Sequence, residues 1–449
     1  MLDLIDTHPQ GRKCDGTSRR EFLRIGALGL GAWSLPHLLA ARAQASAPNR
    51  SSRPASVILL FLDGGAPQHE TFDPKIDAPR EYRSAFGSTP TSIPGAHFGS
   101  QLPKLASLAH RMAILRSLTH ADGDHGGATH WMKTGMPWPP EAFGKAATIA
   151  QQHPSVGSAV AKVRGPVNNR TGVPTYVRVL SNHGGFPGDD AVWLGHAHSP
   201  FRVGQSRENP MLANMGLRID RNRLDDRREL LRQIDGFRRD IDVTGAANAM
   251  DAFQQQAVDV VLGRARQAFD LNQETQTIRD RYGPGLGQEL LLARRLCEAG
   301  AGFVTLNNGY WDFHGGLISG CQQLVPPLDR AVSAFMEDVE SRGLENEILL
   351  VVTGEFGRSP RLGSERDAGR DHWAPLNDAL LIGGGLRMGQ VVGESDSRGG
   401  HVRSRPITPG EFFSTVLHAA GVDPAIQFQH PSGRPVYQLE DRKPIEEVL

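Results

Sequence analysis

Residues Ile348–Arg358 read ILLVVTGEFGR. The run from Ile348 to Thr353 is continuously apolar or β-branched, which is how a strand buried on both faces reads, and such strands belong to parallel sheets covered by helices. A helical period from Leu328 to Arg342 precedes it and stops at Gly343. The same succession occurs upstream, with a helix from Gln288 to Ala299, a stop at Gly300 and a strand from Gly302 to Leu306. Helix, glycine stop and buried strand form the repeating unit of α/β proteins. Val57 to Leu62 is another such run, and Ala379 to Ile382, leading into Gly383-Gly384-Gly385, is a fourth. The expectation is an α/β fold around a mostly parallel sheet.

Ligands of open α/β sheets bind beyond the carboxyl ends of the strands, so the residues at those exits carry the functional reading. Val57–Leu62 ends at Asp63-Gly64-Gly65. Gly302–Leu306 leads to Trp311-Asp312-Phe313-His314, and Ile348–Thr353 ends at Gly354-Glu355-Phe356-Gly357-Arg358. The segment Gly369-Arg370-Asp371-His372, just before the fourth strand, supplies an imidazole. Carboxylates gathered at one sheet edge repel one another unless a cation lies between them. Asp63, Asp312, His314, Glu355 and His372 are therefore the candidate ligands of one divalent metal, with zinc, manganese or iron suited to a mixed set and calcium or magnesium to a carboxylate-rich one. Thr119 to His130 holds a second dense group, His120, Asp122, Asp124, His125 and His130. From it His125 is the candidate general base or additional ligand, and Arg358 is the candidate fork for a tetrahedral oxyanion.

Lys plus Arg equal Asp plus Glu at 49 each, which leaves no basic field to hold nucleic acid. At the N-terminus, Ser18-Arg19-Arg20-Glu21-Phe22-Leu23 precedes an uncharged Leu/Gly/Ala stretch and the small-residue sites Ala41-Arg42-Ala43 and Ala43-Gln44-Ala45. That is the pattern of a twin-arginine signal peptide over residues 1–45. It predicts handling by the twin-arginine export machinery, a periplasmic or otherwise exported destination, and no integral membrane span in the mature form. The remainder, 46–449, reads as one domain, and helical periodicity without strand-like runs marks a helical insertion at about 221–281. Cys297 and Cys321 are too few for a disulfide framework, though one bridge is open to them.

Taken in order, LDGG (Leu62–Gly65), KTG (Lys133–Gly135) and LLVVTGEFGR (Leu349–Arg358) resemble the alkaline phosphatase and sulfatase superfamily. Within it, GGAPQHETFDPK, YWDFHGG, TGEFGRSPRL, GRDHWAPL and ITPGEFFSTVLHAAGVDP resemble an exported bacterial family, domain of unknown function 1501, from about Pro54 to Leu449. The resemblance implies a three-layer, alkaline-phosphatase-like fold and matches Asp63, Asp312, His314 and His372 to ligand positions. Two positions depart from the superfamily pattern. Phe356 stands where the phosphatases have a ligating His, and His125 stands where the sulfatases have their nucleophile. The expected activity is metal-dependent hydrolysis of a sulfate or phosphate ester by direct water attack, with an anionic small molecule or glycan ester as substrate. The alternative is a non-catalytic binding protein derived from the same fold.

Overall fold

In the computed structural model, the described residues are 54–139, 152–180, 188–204, 265–363 and 368–449. Pro54–Leu449 forms one compact unit. Eight strands make the central sheet: β1 (Ser56–Leu62), β2 (Ala113–Leu118), β3 (Tyr176–Leu180), β4 (Phe201–Gly204), β5 (Phe303–Asn308), β6 (Ile348–Thr353), β7 (Asn377–Gly383) and β8 (Gln390–Val392). Their order across the sheet is β8-β2-β7-β6-β1-β5-β3-β4. Every neighbouring pair is parallel except the two that involve β7.

The reversal of β7 has a functional consequence. Ala379, near its start, pairs with Thr353 at the end of β6. The segment preceding β7 therefore arrives at the edge where its parallel neighbours end, and it brings His372 with it.

β1 shows why the sheet is covered on both faces. Ile58, Leu60 and Leu62 point into a core shared with helices α3 (Leu286–Glu298) and α4 (Leu317–Ser341). Val57, Leu59 and Phe61 point into a second core with α1 (His125–Thr134), α2 (Val156–Arg164) and α5 (Pro409–Ala419). The result is the expected three-layer α/β/α arrangement. Burying both faces of this seven-residue strand takes its six apolar side chains, Val57 to Leu62, out of water, at about 1.5–3 kcal/mol for each large one.

Four strands and part of a helix escape the periodicity argument; β4 and β8 are only four and three residues long. β2 (AILRSL) and β3 (YVRVL) each carry an arginine that interrupts the apolar run. Arg116 is accommodated by the carbonyls of Phe72 and His97, and Arg178 by Asp189. The helix expected from Leu328 starts at Leu317 instead, passing through Pro326 and Pro327. Its first half survives the lost backbone donors because Leu317, Cys321 and Val325 are fully buried in the core. Cys297 and Cys321 are both buried and unbridged. The expected signal region, 1–45, and most of the expected insertion lie outside the described residues; the end of the latter forms helices Ala265–Phe269 and Gln276–Tyr282. Among the described residues no helix is long and apolar enough to cross a membrane.

Candidate metal centre

Three chain segments bring imidazoles to the sheet edge. The first is the start of α1, where the Asp124 carboxylate caps the helix by accepting from the N–H groups of Gly126 and Gly127 at 2.9 and 3.3 Å. This cap fixes His125 in the first turn. A side chain at residue 127 would come within 1.9 Å of the Asp122 carboxylate, which accounts for glycine there. The second segment is the loop after β5, with Asp312 and His314. The third is a short antiparallel ribbon in which His372 pairs with Arg358.

Asp312 is the hub. Its Oδ1 lies 3.0 Å from His314 Nε2 and 3.1 Å from His372 Nε2, and its Oδ2 lies 3.4 Å from His125 Nε2. The Nε2 atoms of His314 and His372 are 3.0 Å apart. Donor atoms of His125, Asp312 and His372 all fall within 4.8 Å of one another. The other side of each ring is tied outward. His125 Nδ1 bonds Glu355 Oε1 at 2.7 Å, His372 Nδ1 bonds the Gly123 carbonyl at 2.8 Å, and His314 Nδ1 bonds Asp371 Oδ1 at 2.8 Å. A metal-ligating histidine is oriented in this way, by an outward hydrogen bond that sets its tautomer. The donor set of three imidazoles and one carboxylate fits a borderline cation such as zinc better than calcium or magnesium.

Electrostatics agree with that arrangement. Burial would raise the Asp312 carboxyl, but the bond and charge of Arg358, with His125 and His372, hold it well below the ordinary carboxylate range. Burial works against charging His125, yet the hydrogen bond and charge of Glu355, with Asp312, raise it above its usual value. Phe356, fully buried, packs its ring 5.1 Å from that of His125 and 4.6 Å from that of His372. A position that cannot bind metal thus supports two rings that can.

Three expected site residues are placed differently. Glu355 is fully buried and receives the Gly64 N–H at 2.8 Å as well as His125, so it braces that imidazole from behind. Asp63 also lies outside the close donor group: its carboxylate accepts from Asn307, and burial pushes its pKa up to about 6 against the pull of Lys133. Arg358 has no exposed surface for an oxyanion. Its Nε donates to the Gly65 carbonyl at 3.0 Å, its Nη1 to that of Arg370 at 3.0 Å, and its Nη2 to Gly64 and, at 2.6 Å, to Asp312 Oδ1. The fork holds Asp312 anionic and joins the strand-exit loops. Gly64, at φ +101°, allows this closeness, since a Cβ there would lie 2.7 Å from the Asp312 nitrogen.

The remainder of the His120–His130 group serves the fold. His120 donates to the Glu355 carbonyl at 2.6 Å, Asp122 accepts from the Asp124 N–H, and His130 sits at the far end of α1 against the Met136 carbonyl. The sequence reading passed over Tyr310, whose hydroxyl is 3.1 Å from Asp312 Oδ2 on a side chain 53% exposed. Its position two residues before Asp312 in an aromatic loop was the available signal. Asp371, which orients His314, was visible only as a neighbour of His372.

The fold and this imidazole-carboxylate cluster define an α/β protein with a metal-type centre at the carboxyl edge of its sheet. The chain belongs to the family described as "Protein of unknown function (DUF1501)", which matches residues 54–449. It is similar to the solved structure of the PsFucS1 sulfatase from Pseudoalteromonas sp., at 12% identity and a TM-score of 0.39, over 90% of this chain and 72% of that one. It is also similar to the lipoteichoic acid synthase LtaP from Listeria monocytogenes, at 10% identity and a TM-score of 0.41, over 87% and 75% of the two chains. A third similar structure is the alkaline phosphatase from the Antarctic bacterium TAB5, at 11% identity and a TM-score of 0.37, over 82% and 98%. No curated protein matches the sequence.

Proposed function

We propose that this protein is an exported, metal-dependent hydrolase of a sulfate or phosphate ester. The observation that carries the reading is the orientation of the three imidazoles, each tied outward at Nδ1 with Nε2 turned toward the Asp312 carboxylate. His125, Asp312, His314 and His372 would hold the cation, which when bound supplies Lewis acidity toward the ester and a lowered pKa for water. His125 is a ligand in this reading, since Glu355 occupies Nδ1 and Nε2 faces Asp312. Glu355, Asp371 and the Gly123 carbonyl orient the rings, and Arg358 keeps Asp312 ionised. Tyr310, at the exposed rim, donates its hydroxyl hydrogen to Asp312 Oδ2 and would turn from it to reach an ester oxygen.

Water is the nucleophile. Thr71 and Thr129, the hydroxyls that follow Asp63 and His125 in sequence, point elsewhere or are enclosed: Thr71 Oγ1 donates to the Pro67 carbonyl at 2.9 Å, and Thr129 is fully buried within α1. Export rests on Arg19-Arg20 and the Ala-x-Ala sites of the N-terminal region, and unchanged export after both arginines become lysine would refute it.

The test is elemental analysis of protein purified from the exported fraction, paired with hydrolysis of 4-nitrophenyl sulfate and 4-nitrophenyl phosphate before and after chelation. The expected result is close to stoichiometric zinc or another borderline metal and a hydrolytic activity lost on chelation. Metal-free protein without hydrolysis of either ester would establish the non-catalytic alternative.

A further inference from the structure

A groove of about 770 Å³ lies beside the metal centre, lined by Arg80, Arg83 and Arg361 with Glu81 the single carboxylate among its described lining residues. None of the three guanidinium groups is ion-paired among the described residues, although most of the arginines buried around the sheet edge are. The whole chain is neutral, so this is a local concentration of positive charge. Ile76 and Ile318 line the same groove and are 39% and 41% exposed. Exposed isoleucines beside arginines that are not ion-paired among the described residues make a surface with both apolar faces and planar cationic forks.

The groove shares a wall with the metal centre. The buried Arg370 donates its backbone N–H to the Phe313 carbonyl at 2.8 Å, between Asp312 and His314, and its guanidinium to the Arg83 carbonyl at 3.0 Å. On the other side, the Leu362 N–H donates to the Glu81 carbonyl at 2.8 Å, so the ribbon that delivers His372 also forms the groove's edge.

We propose that this groove is a second anion subsite, binding a further sulfate or phosphate group of an oligomeric glycan whose scissile ester lies at the metal centre. The inference deepens the ester-hydrolase reading and rests on it for the nature of the substrate. Guanidinium forks match tetrahedral oxyanions in a way that ammonium groups do not, and the isoleucines meet the apolar faces of sugar rings. An anionic polymer without such rings would use the arginines alone.

The experiment measures binding by calorimetry with chelator present, so that no turnover is needed. The probes are a dextran sulfate oligomer, a dextran phosphate oligomer of equal length and inorganic polyphosphate, each at two salt concentrations. R80A/R83A/R361A is expected to bind the stronger dextran ligand at least ~10-fold more weakly, with a shallower salt dependence. I76S/I318S is expected to weaken the dextran ligands and leave polyphosphate unchanged. Which dextran ligand binds more tightly tells sulfate from phosphate. Equal binding of both dextrans by wild type and R80A/R83A/R361A would overturn the subsite, and polyphosphate binding as tight as dextran sulfate with I76S/I318S silent would overturn the glycan assignment. If no ester is hydrolysed while the arginine-dependent binding persists, the hydrolase reading fails and the subsite stands.

Discussion

Helix α1 joins two polar clusters built from the same kinds of residue, and they have opposite characters. At its first turn, His125 belongs to the half-exposed group around Asp312. Eight residues on, roughly 12 Å along the axis, Lys133 is buried among Asp189, Arg178 and Tyr176. Asp189 takes Lys133 at 3.2 Å, Arg178 at 3.0 Å and the Tyr176 hydroxyl at 3.3 Å. In that cluster charges satisfy each other. In the first, each imidazole is tied outward at Nδ1 while the Nε2 atoms converge on the one Asp312 carboxylate. Burial and charge therefore do not by themselves mark a site; the direction in which the partners lie does.

The largest expected effect falls on the outward-tied cluster. Asp312→Ala removes the hub and should abolish metal retention and lower hydrolysis by roughly 10³-fold or more, with some loss of stability as well because the buried Arg358 loses its carboxylate. Metal retained at wild-type stoichiometry would show that the two clusters are alike, both structural.

Asp189→Ala tests the other side. It leaves Lys133 and Arg178 buried without their common counter-ion, at about 3–5 kcal/mol of stability by denaturant titration, with metal content unchanged. A loss of metal without loss of stability would reverse the comparison.

Asp63 lies between the two, and its raised pKa gives a pH signature. An aspartate whose folded pKa is lifted from 3.8 to about 6 binds its proton more tightly when folded. Its stabilising contribution is complete below the unfolded value and fades as pH rises through about 6. Asp63→Asn should therefore flatten the fall in stability between pH 4 and 6, by about 2–3 kcal/mol in thermal or urea unfolding at fixed metal. A profile identical to wild type would place the carboxylate in a fully compensated setting.

The smallest effect is expected at Glu355→Gln. The His125 ring keeps a hydrogen-bond acceptor but loses the charge behind it, so metal affinity should fall by ~10- to 100-fold without a change in stoichiometry at saturation. A loss as complete as that of Asp312→Ala would make Glu355 a ligand after all.

The candidate centre was legible where one of its residues stood directly beyond a recognisable strand. Asp312 and His314 follow β5, and His372 precedes β7, so the three could be grouped from their exits alone. The same rule carried Asp63 and Glu355 too far, because a strand exit says which edge a residue reaches and nothing about what its carboxylate meets there. Arg358 was offered to a substrate because it lies just past Glu355 at the exit of β6 and carries a planar fork. Its actual partners, Gly64, Gly65, Arg370 and Asp312, come from three other segments.

By itself the sequence determined the buried strands, the glycine stops and hence the α/β layers, since continuous apolar runs have no stable place except between two cores. It also determined the chemical inventory of the edge. Only the tertiary structure decided that β7 runs against its neighbours and so delivers His372, that Arg116 and Arg178 lie within strands, and that His125 alone of its group reaches Asp312. Those outcomes depend on partners 11 to 249 positions apart along the chain, and the physical choice between a ligand, a brace and a buried ion pair is made by the direction of those bonds.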